Sequence, residues 1–596
     1  MLRKLIFILL LFYSFSCYAQ KDKEERKLAN TYFRNGEFEK ATSLYESLYL
    51  DNNYNTYYLR HLLKCYHATA SYTKAEELIV NKLNNAPDQA FLDVELGYLY
   101  QLQHQDEKAE AQYQKAFLAL KDKPASGYQI AKSFSDNHLL DYALQSYKFL
   151  MKELPRANYG YQIAQIYGEK GDLTGMFNTY LDMADKGKTN SIQRYVGKFI
   201  TDDSQNENNI LFRQLLIKRL QENPKDVWNQ LLSWLYLQQK EYAKALRQEK
   251  AIHLRSNTDL NAVIDVGLIA FESGNYETVH DAFNYVIDNT SNSVNQVYAS
   301  YYLLESERKT KPSNIAEINK HYLEVLKEYG EGNLTNTIQV SYADFLTFDV
   351  NEPEKAIVVL NSALENQLSA FQKAEIKIQL GDIMVFTGKY NQALITFSQV
   401  QTKLKNHRLA HKARYKVAQT SYFKGDFDWA NTQLKVLKRG TTKLIANDAL
   451  DLSLLISDNI AQDSVRTALK SYATAELLSY QNKNDAAIDT LTNLLKKHKG
   501  HPIEDEALFK QANLFEEKNQ LEFAVQNYLE ILEIKENDIL IDDALFYLAE
   551  LYDYKLNLPE KAEIYYEKIV LNHASSIYLV PARKRYRKLR GDIIVP

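Results

Sequence analysis

Two cysteines, three tryptophans, ten prolines and 19 glycines are all that this 596-residue chain holds of the residues that staple, anchor or bend a fold. Cys17 lies near the N-terminus and leaves Cys65 alone downstream. Once the N-terminal segment is removed no intramolecular disulfide is possible, and packing alone must hold the structure. So little proline and glycine argues against a β-rich or low-complexity protein. Charge of either sign is also not in excess: 72 Lys and Arg stand against 76 Asp and Glu, a net of −4. That balance removes the electrostatic case for nucleic acid. Beyond the N-terminal segment no run of about 18 apolar residues occurs, so no transmembrane helix is predicted.

What the chain does have is tyrosine, 44 of them against 25 phenylalanines, set in a recurring frame. A small residue is followed three positions on by an aromatic, then by a turn residue, then by an alanine twelve positions from the first. Ala29, Tyr32, Gly36, Phe38, Ala41 and Tyr45 show it, as do Ala131, Phe134, His138, Leu140, Ala143 and Tyr147. Gly381, Met384, Gly388, Tyr390, Ala393 and Phe397 repeat it, and so do Ala512, Phe515, Asn519, Leu521, Ala524 and Tyr528. Ala418, Gly425, Phe427 and Ala430 fall in register. Two helices in close contact need small residues where they meet and a Gly or Asn where the chain reverses. The frame therefore predicts stacked helix pairs.

The pattern resembles the tetratricopeptide repeat, a helix-turn-helix unit of about 34 residues. The tryptophan of that family is missing almost everywhere, and its trailing proline survives only at places such as Pro87 and Pro155. The resemblance implies an all-α fold, an α-solenoid whose antiparallel helix pairs stack into a right-handed superhelix and offer a concave face to partners. From Lys496 onward the helix start and stop signals are strong: Gly500 and Pro502 precede Glu504, Asp505 and Glu506, and Asp542 with Asp543 repeats the order. This C-terminal part looks like the repeats of bacterial outer-membrane assembly lipoproteins.

Residues 1–19 read as an export signal. Arg3 and Lys4 precede an apolar run from Leu5 to Phe15, too short to span a bilayer, and Cys17, Tyr18 and Ala19 place cleavage before Gln20. The alternative is lipid attachment at Cys17, which would put the protein on a membrane. The remaining chain divides into an N-terminal array (20–187), a degenerate pair with a polar joint (188–225), a central array (226–440), a C-terminal array with an extra helix (441–576), and a capping helix and tail (577–596).

Chemistry-bearing motifs do not survive inspection. Gly330, Glu331 and Gly332 lack the third glycine of a dinucleotide loop. Asp202, Ser204 and Asn206 alternate like the start of a calcium loop, but Arg213 holds the place of its closing glutamate, so a solvated linker is the better account. No cofactor, metal site or catalytic residue is expected. The basic run Arg583, Lys584, Arg585, Arg587, Lys588 and Arg590 accompanies an apolar face of Ala582, Tyr586 and Leu589, which predicts a capping helix with its cations in water. Some members of the family clamp a peptide carboxylate with basic and Asn residues on three successive repeats. Here Arg26 and Asn30 match that clamp, whereas His61, Phe91 and Glu95 replace the rest.

The resemblance places Tyr128, Tyr161, Gln165, Tyr415, Gln419, Tyr422 and Asn513 on the groove side of first helices. Aromatics and amides suit extended peptides or glycans. The reading is a non-catalytic protein–protein interaction scaffold of the bacterial periplasm or outer envelope, taking protein or peptide partners and no nucleic acid. The alternatives are a glycan- or peptidoglycan-associated accessory factor, an outer-membrane-assembly-type lipoprotein, or an enzyme of unrecognised site.

Overall fold

The computed structural model describes residues 23–592 apart from 86–88, 155, 438–441, 461–465 and 535–539. The export signal, with Cys17, and both trailing prolines, Pro87 and Pro155, lie outside the described residues. Every regular element among the described residues is a helix, and the chain forms two compact units, Met1–Glu241 and Tyr242–Pro596. Within each unit antiparallel helix pairs stack side by side, the all-α solenoid architecture.

The frame read in the sequence is the packing frame. Ala29, Ala41, Ala131, Ala143, Ala393, Ala418, Ala430, Ala512 and Ala524 have no exposed surface. A β-carbon at Gly97 would come within 2.5 Å of the Tyr113 ring, and one at Gly381 would run into Phe397. Met176 replaces an alanine of the frame and is accommodated by Gly168, where a β-carbon would sit 3.2 Å from the Met176 sulfur. Turn residues take the left-handed conformation that ends a helix: His138 (φ 54°), Gly388 (φ 76°) and Asn519 (φ 56°). The reversal is then locked by the backbone, Leu139 N–H donating to Phe134 O at 2.9 Å and Lys389 N–H to Met384 O at 2.7 Å.

The tyrosine excess has a structural cause. A buried ring fills the groove between helices while its hydroxyl donates to a carboxylate or amide on a neighbouring helix, which a phenylalanine cannot do. Tyr66 reaches Glu46 (2.7 Å), Tyr100 reaches Glu76 (2.9 Å), Tyr528 reaches Glu516 (2.7 Å), Tyr566 reaches Glu550 (2.7 Å) and Tyr586 reaches Glu567 (2.7 Å). Burial, with the carboxylate adding to it, holds each of Tyr66, Tyr528 and Tyr566 well above the usual phenol range.

Two segments differ from the sequence reading. The polar stretch 201–209 is not a solvated linker throughout. Asn209 is fully buried, accepts from Thr201 N–H (3.2 Å) and donates to the carbonyls of Thr201 (2.9 Å) and Asp203 (2.6 Å). Asn206 caps helix Glu207–Glu222. In the last helix, Leu579–Leu589, Ala582 is buried and Tyr586 and Leu589 pack with Tyr552, Tyr566 and Ile569. The basic residues do not all stay in water, however: Arg585 binds Asp553 through two nitrogens, Nη2 at 2.7 Å from Oδ1, and lies over the Tyr554 ring. The Asp553 side chain is only 2% exposed, so a cation had to follow it inward.

Helix Lys443–Ile460 stands between the pair Arg408–Phe423 and Phe427–Leu437 and the pair Thr467–Tyr480 and Asn484–Lys497. With this helix interposed, the turn after Tyr480 lands on first helices far back in the chain. Gln481 donates to Phe386 O (2.9 Å), Asn482 to Phe348 O, and the Tyr480 ring sits 5.4 Å from Phe348 and 5.9 Å from Phe423. A polar line crosses the same helices: Arg308 joins Asp344 (2.9 Å), Gln379 donates to Asp344 (3.0 Å), and Lys416 pairs with Asp382 (2.9 Å). The groove side of these central repeats is thereby filled by the chain itself.

Candidate functional site

Past that closure the second unit opens into a cleft of about 1490 Å³. One wall is helix Arg408–Phe423, whose Tyr415, Gln419 and Tyr422 face it at positions 0, 4 and 7, one side of a helix. Another is Lys443–Ile460, presenting Asp448, Asp451 and Asp458. Glu476 comes from the next first helix. Glu504 enters with the first turn of Glu504–Glu517, Glu530 and Glu533 with the end of Leu521–Ile534, and Asp543 with the start of Ile541–Glu550. Apolar side chains, among them Leu455, Leu508 and Leu540, lie between them, and Ile577 stands 82% exposed at the rim. Lys499 is the one lysine in this lining.

The electrostatics follow from crowding acids in a partly dry cleft. Burial pushes the Asp451 carboxyl up, and neighbouring Asp448 adds repulsion. Burial likewise raises Glu476 and Asp543, each against a tyrosine hydroxyl that favours the ionised form: Tyr422 at 2.6 Å and Tyr578 at 2.9 Å. The Tyr415 hydroxyl is pushed up to about 12 by burial and then by Asp448, Glu476 and Asp451. A cation placed among these groups relieves both the repulsion and the desolvation.

The structure brings together three of the seven groove residues read from the sequence, Tyr415, Gln419 and Tyr422. Tyr422 is 1% exposed, so it supports the cleft from within the wall. Asn513 is outside the lining, its side chain accepting from the Tyr528 hydroxyl at 2.8 Å. Tyr128, Tyr161 and Gln165 belong to the first unit. Tyr128 stacks on Tyr159 with ring centroids 5.8 Å apart, Tyr161 packs 4.8 Å from Tyr195, and Gln165 donates to Glu169 at 2.8 Å. These three do not line the cleft.

The carboxylates were missed as a set. Glu504 to Glu506 and Asp542 with Asp543 do serve helix starts, as the sequence implied. The unused signal was the pairing of Asp448 with Asp451 and of Glu530 with Glu533, three apart on one helix face. Among the described residues no group of His, Cys, Asp and Glu is disposed to hold a metal ion, and no helix is long and apolar enough to cross a membrane.

In the first unit four positions of the carboxylate clamp, Asn30, His61, Phe91 and Glu95, are committed internally. Asn30 accepts from Tyr45 (2.8 Å) and Tyr57 (2.6 Å), and the His61 ring packs tilted against Tyr57 with centroids 4.1 Å apart. Phe91 lies under Arg60 at 4.6 Å, and Glu95, 3% exposed, accepts from Ser133 and from Asn137 (3.1 Å).

Comparison with known proteins agrees with the repeat architecture. Models described as tetratricopeptide repeat match residues 472–539 and 543–576, so the chain carries these repeats there. No curated protein matches the sequence. Among solved structures the chain is similar to the yeast Tom70 crystal structure, at 14% identity and a TM-score of 0.27, covering 93% of this chain and 97% of that one. It is also similar to the APC/C hetero-tetramer Cut9-Hcn1 (14% identity, TM-score 0.27, covering 88% and 96%). A third is the human IFIT1 dimer with m7Gppp-AAAA (12% identity, TM-score 0.27, covering 72% and 89%).

Proposed function

We propose that this protein is a non-catalytic interaction scaffold of the bacterial periplasm or outer envelope, and that its second unit receives an extended Lys- and Arg-rich segment of a protein partner in the acid-lined cleft. Tetratricopeptide repeats support the scaffold role. The observation that carries the site is the cleft itself: it is roomy, flanked by aromatic and aliphatic side chains, and lined by carboxylates from five helices with Lys499 as its one lysine. An extended basic segment meets both needs, its ammonium and guanidinium groups facing the acids and its aliphatic stems lying on Leu454, Leu455 and Ile577. The export reading of residues 1–19 supports the compartment.

Fluorescence anisotropy with a labelled Lys/Arg-rich peptide tests the site. Binding should weaken at least tenfold in Asp448→Lys/Asp451→Lys and should be absent for a Glu-rich peptide. Equal binding of both peptides, or retention in that variant, would remove the cleft as the seat. Intact-mass measurement of the exported protein tests the compartment: Gln20 as first residue fits a soluble periplasmic form, acyl chains on Cys17 a membrane-held one, and an unprocessed chain sinks the export reading.

A further inference from the structure

The first unit holds a cavity of opposite charge. It measures about 640 Å³ and forms where helix Leu140–Glu153, the approach to Gly160–Glu169, helix Leu173–Met183 and the kinked segment Ala184–Lys188 meet. Lys148, Arg156, Lys186 and Lys188 line it, against one carboxylate, Asp182. Gly187 takes φ 85° between the last two lysines, a left-handed kink that lets both face the same space.

The nearby acids are already used. Asp182 is paired with Arg219 at 2.7 Å, and Asp185 with Lys225 at 2.6 Å, both cations coming from beyond the cavity's own helices. None of the four cavity cations makes an ion pair among the described residues. Lys148 donates instead to the Tyr167 hydroxyl (2.6 Å), and the Lys188 ammonium lies 5.7 Å from the Tyr161 ring centroid. These contacts do not neutralise the charges: four like charges around one hollow repel, and a folded chain keeps such a cost where something else offsets it. The remaining lining suits a ligand, with Met151, Ile163 and Met183 as an apolar floor and Asn158, Asn178 and Thr179 as hydrogen-bonding groups. The volume lies within the range of small-molecule sites, roughly 300–1,000 Å³.

We propose that this cavity binds a phosphate-bearing polyanion of the diphosphate class. Three ammonium groups and one guanidinium, arriving from three segments of the chain, match several oxygens spread over adjacent phosphates better than a single planar carboxylate. Asp182 stays turned to Arg219 and does not oppose the ligand. The group could be carried by a soluble molecule or by a lipid head, and the chemistry at the cavity is the same.

The test is calorimetric titration of the purified full chain with inorganic pyrophosphate at fixed ionic strength, with acetate as the monovalent control. Saturable pyrophosphate binding should be at least tenfold tighter than acetate binding. It should fall at least tenfold in Lys186→Glu/Lys188→Glu and in Lys148→Gln/Arg156→Gln. These residues are exposed or half-buried, and circular dichroism should show both variants folded as the parent. Arg194→Glu/Lys198→Glu, outside the lining, should bind as the parent does. Loss in that control as well, or unchanged binding in the cavity variants, would show diffuse attraction and overturn the site, as would no pyrophosphate binding at all. Co-flotation with phosphatidylcholine vesicles doped with a polyprenyl diphosphate, absent for undoped vesicles and lost in the same cavity variants, would identify a lipid head as the source; pyrophosphate binding without flotation would identify a soluble one. The Asp448→Lys/Asp451→Lys cleft variant should bind pyrophosphate unchanged, which keeps this result independent of the proposed peptide cleft.

Discussion

The groove side of the first unit and the cleft of the second are built from the same repeat, yet they treat charge in opposite ways. In the first unit Arg60 is clipped to Asp136 (3.4 Å), to Gln129 (3.0 Å) and over Phe91, while Glu95 is roofed by Ser133 and Asn137. Each charge closes a contact between helices of different repeats. In the second unit Asp448, Asp451 and Asp458 stand along one wall without a cation bound to them in any described ion pair. Where charges are satisfied internally the repeat face is structural. Where like charges gather around open space, their repulsion is not relieved by an ion pair within the described residues.

The contrast is broken most severely by removing a partner from a buried pair. Arg585→Ala leaves Asp553 buried and uncompensated and should cost about 3 kcal/mol, confined to the last helix pair. Reversing Arg583, Arg587 and Arg590 instead should change chemical-denaturation midpoints little, since exposed charges contribute about 0–1 kcal/mol each. Glu95→Ala in the first unit should cost about 1–3 kcal/mol, because the donors of Ser133 and Asn137 lose their acceptor in a dry site. Ala143→Leu and Ala524→Leu test what the two units share: each overpacks the same closed contact and should cost roughly 1–3 kcal/mol in thermal unfolding. A neutral result in either would disprove the common register.

Acidification should separate the two faces. Asp451, Glu476 and Asp543 have folded values raised above their ordinary 3.8, 4.5 and 3.8, so the folded cleft takes protons before the unfolded chain does. Stability around the cleft therefore rises as pH falls through the raised values, while affinity for a basic peptide drops. His67 runs the other way. Burial holds it down to about 4 from 6.5, so the unfolded chain is protonated first and stability is lost as pH falls from 6.5 towards 4. Glu95, raised by burial, opposes His67 in the first unit. Segment-resolved hydrogen exchange on a Glu95→Gln background should thus show protection falling around His67 and rising around Glu476. The smallest effect is at Asp451→Asn, which removes one repulsion and should stabilise by a few tenths of a kcal/mol, on the scale of other exposed charge changes, while weakening peptide binding.

Seen from Ala524, Asn519 and Tyr528, the fold was legible in the sequence because each frame position touches another within the same or the next repeat. Small contacts, left-handed turn residues and groove-filling rings are all local requirements, and a period exposes them. The candidate site was legible only in part. Tyr415 and Gln419 could be placed by their position on a first helix. Tyr422 could be put on the right helix but not the right depth, since its burial depends on Glu476, 54 residues on.

The sequence by itself determined an all-α chain of stacked helix pairs, because contacts that repeat every 30-odd residues are written in residues that repeat at the same interval. Only the tertiary structure decided which faces stay open. A helix interposed at Lys443–Ile460 carries Asn482 onto Phe348, 134 residues earlier, and gathers Asp448, Glu476, Glu504, Glu530 and Asp543 around one hollow. No period marks those acids, since they meet through the turning of the stack and not through their spacing in the chain.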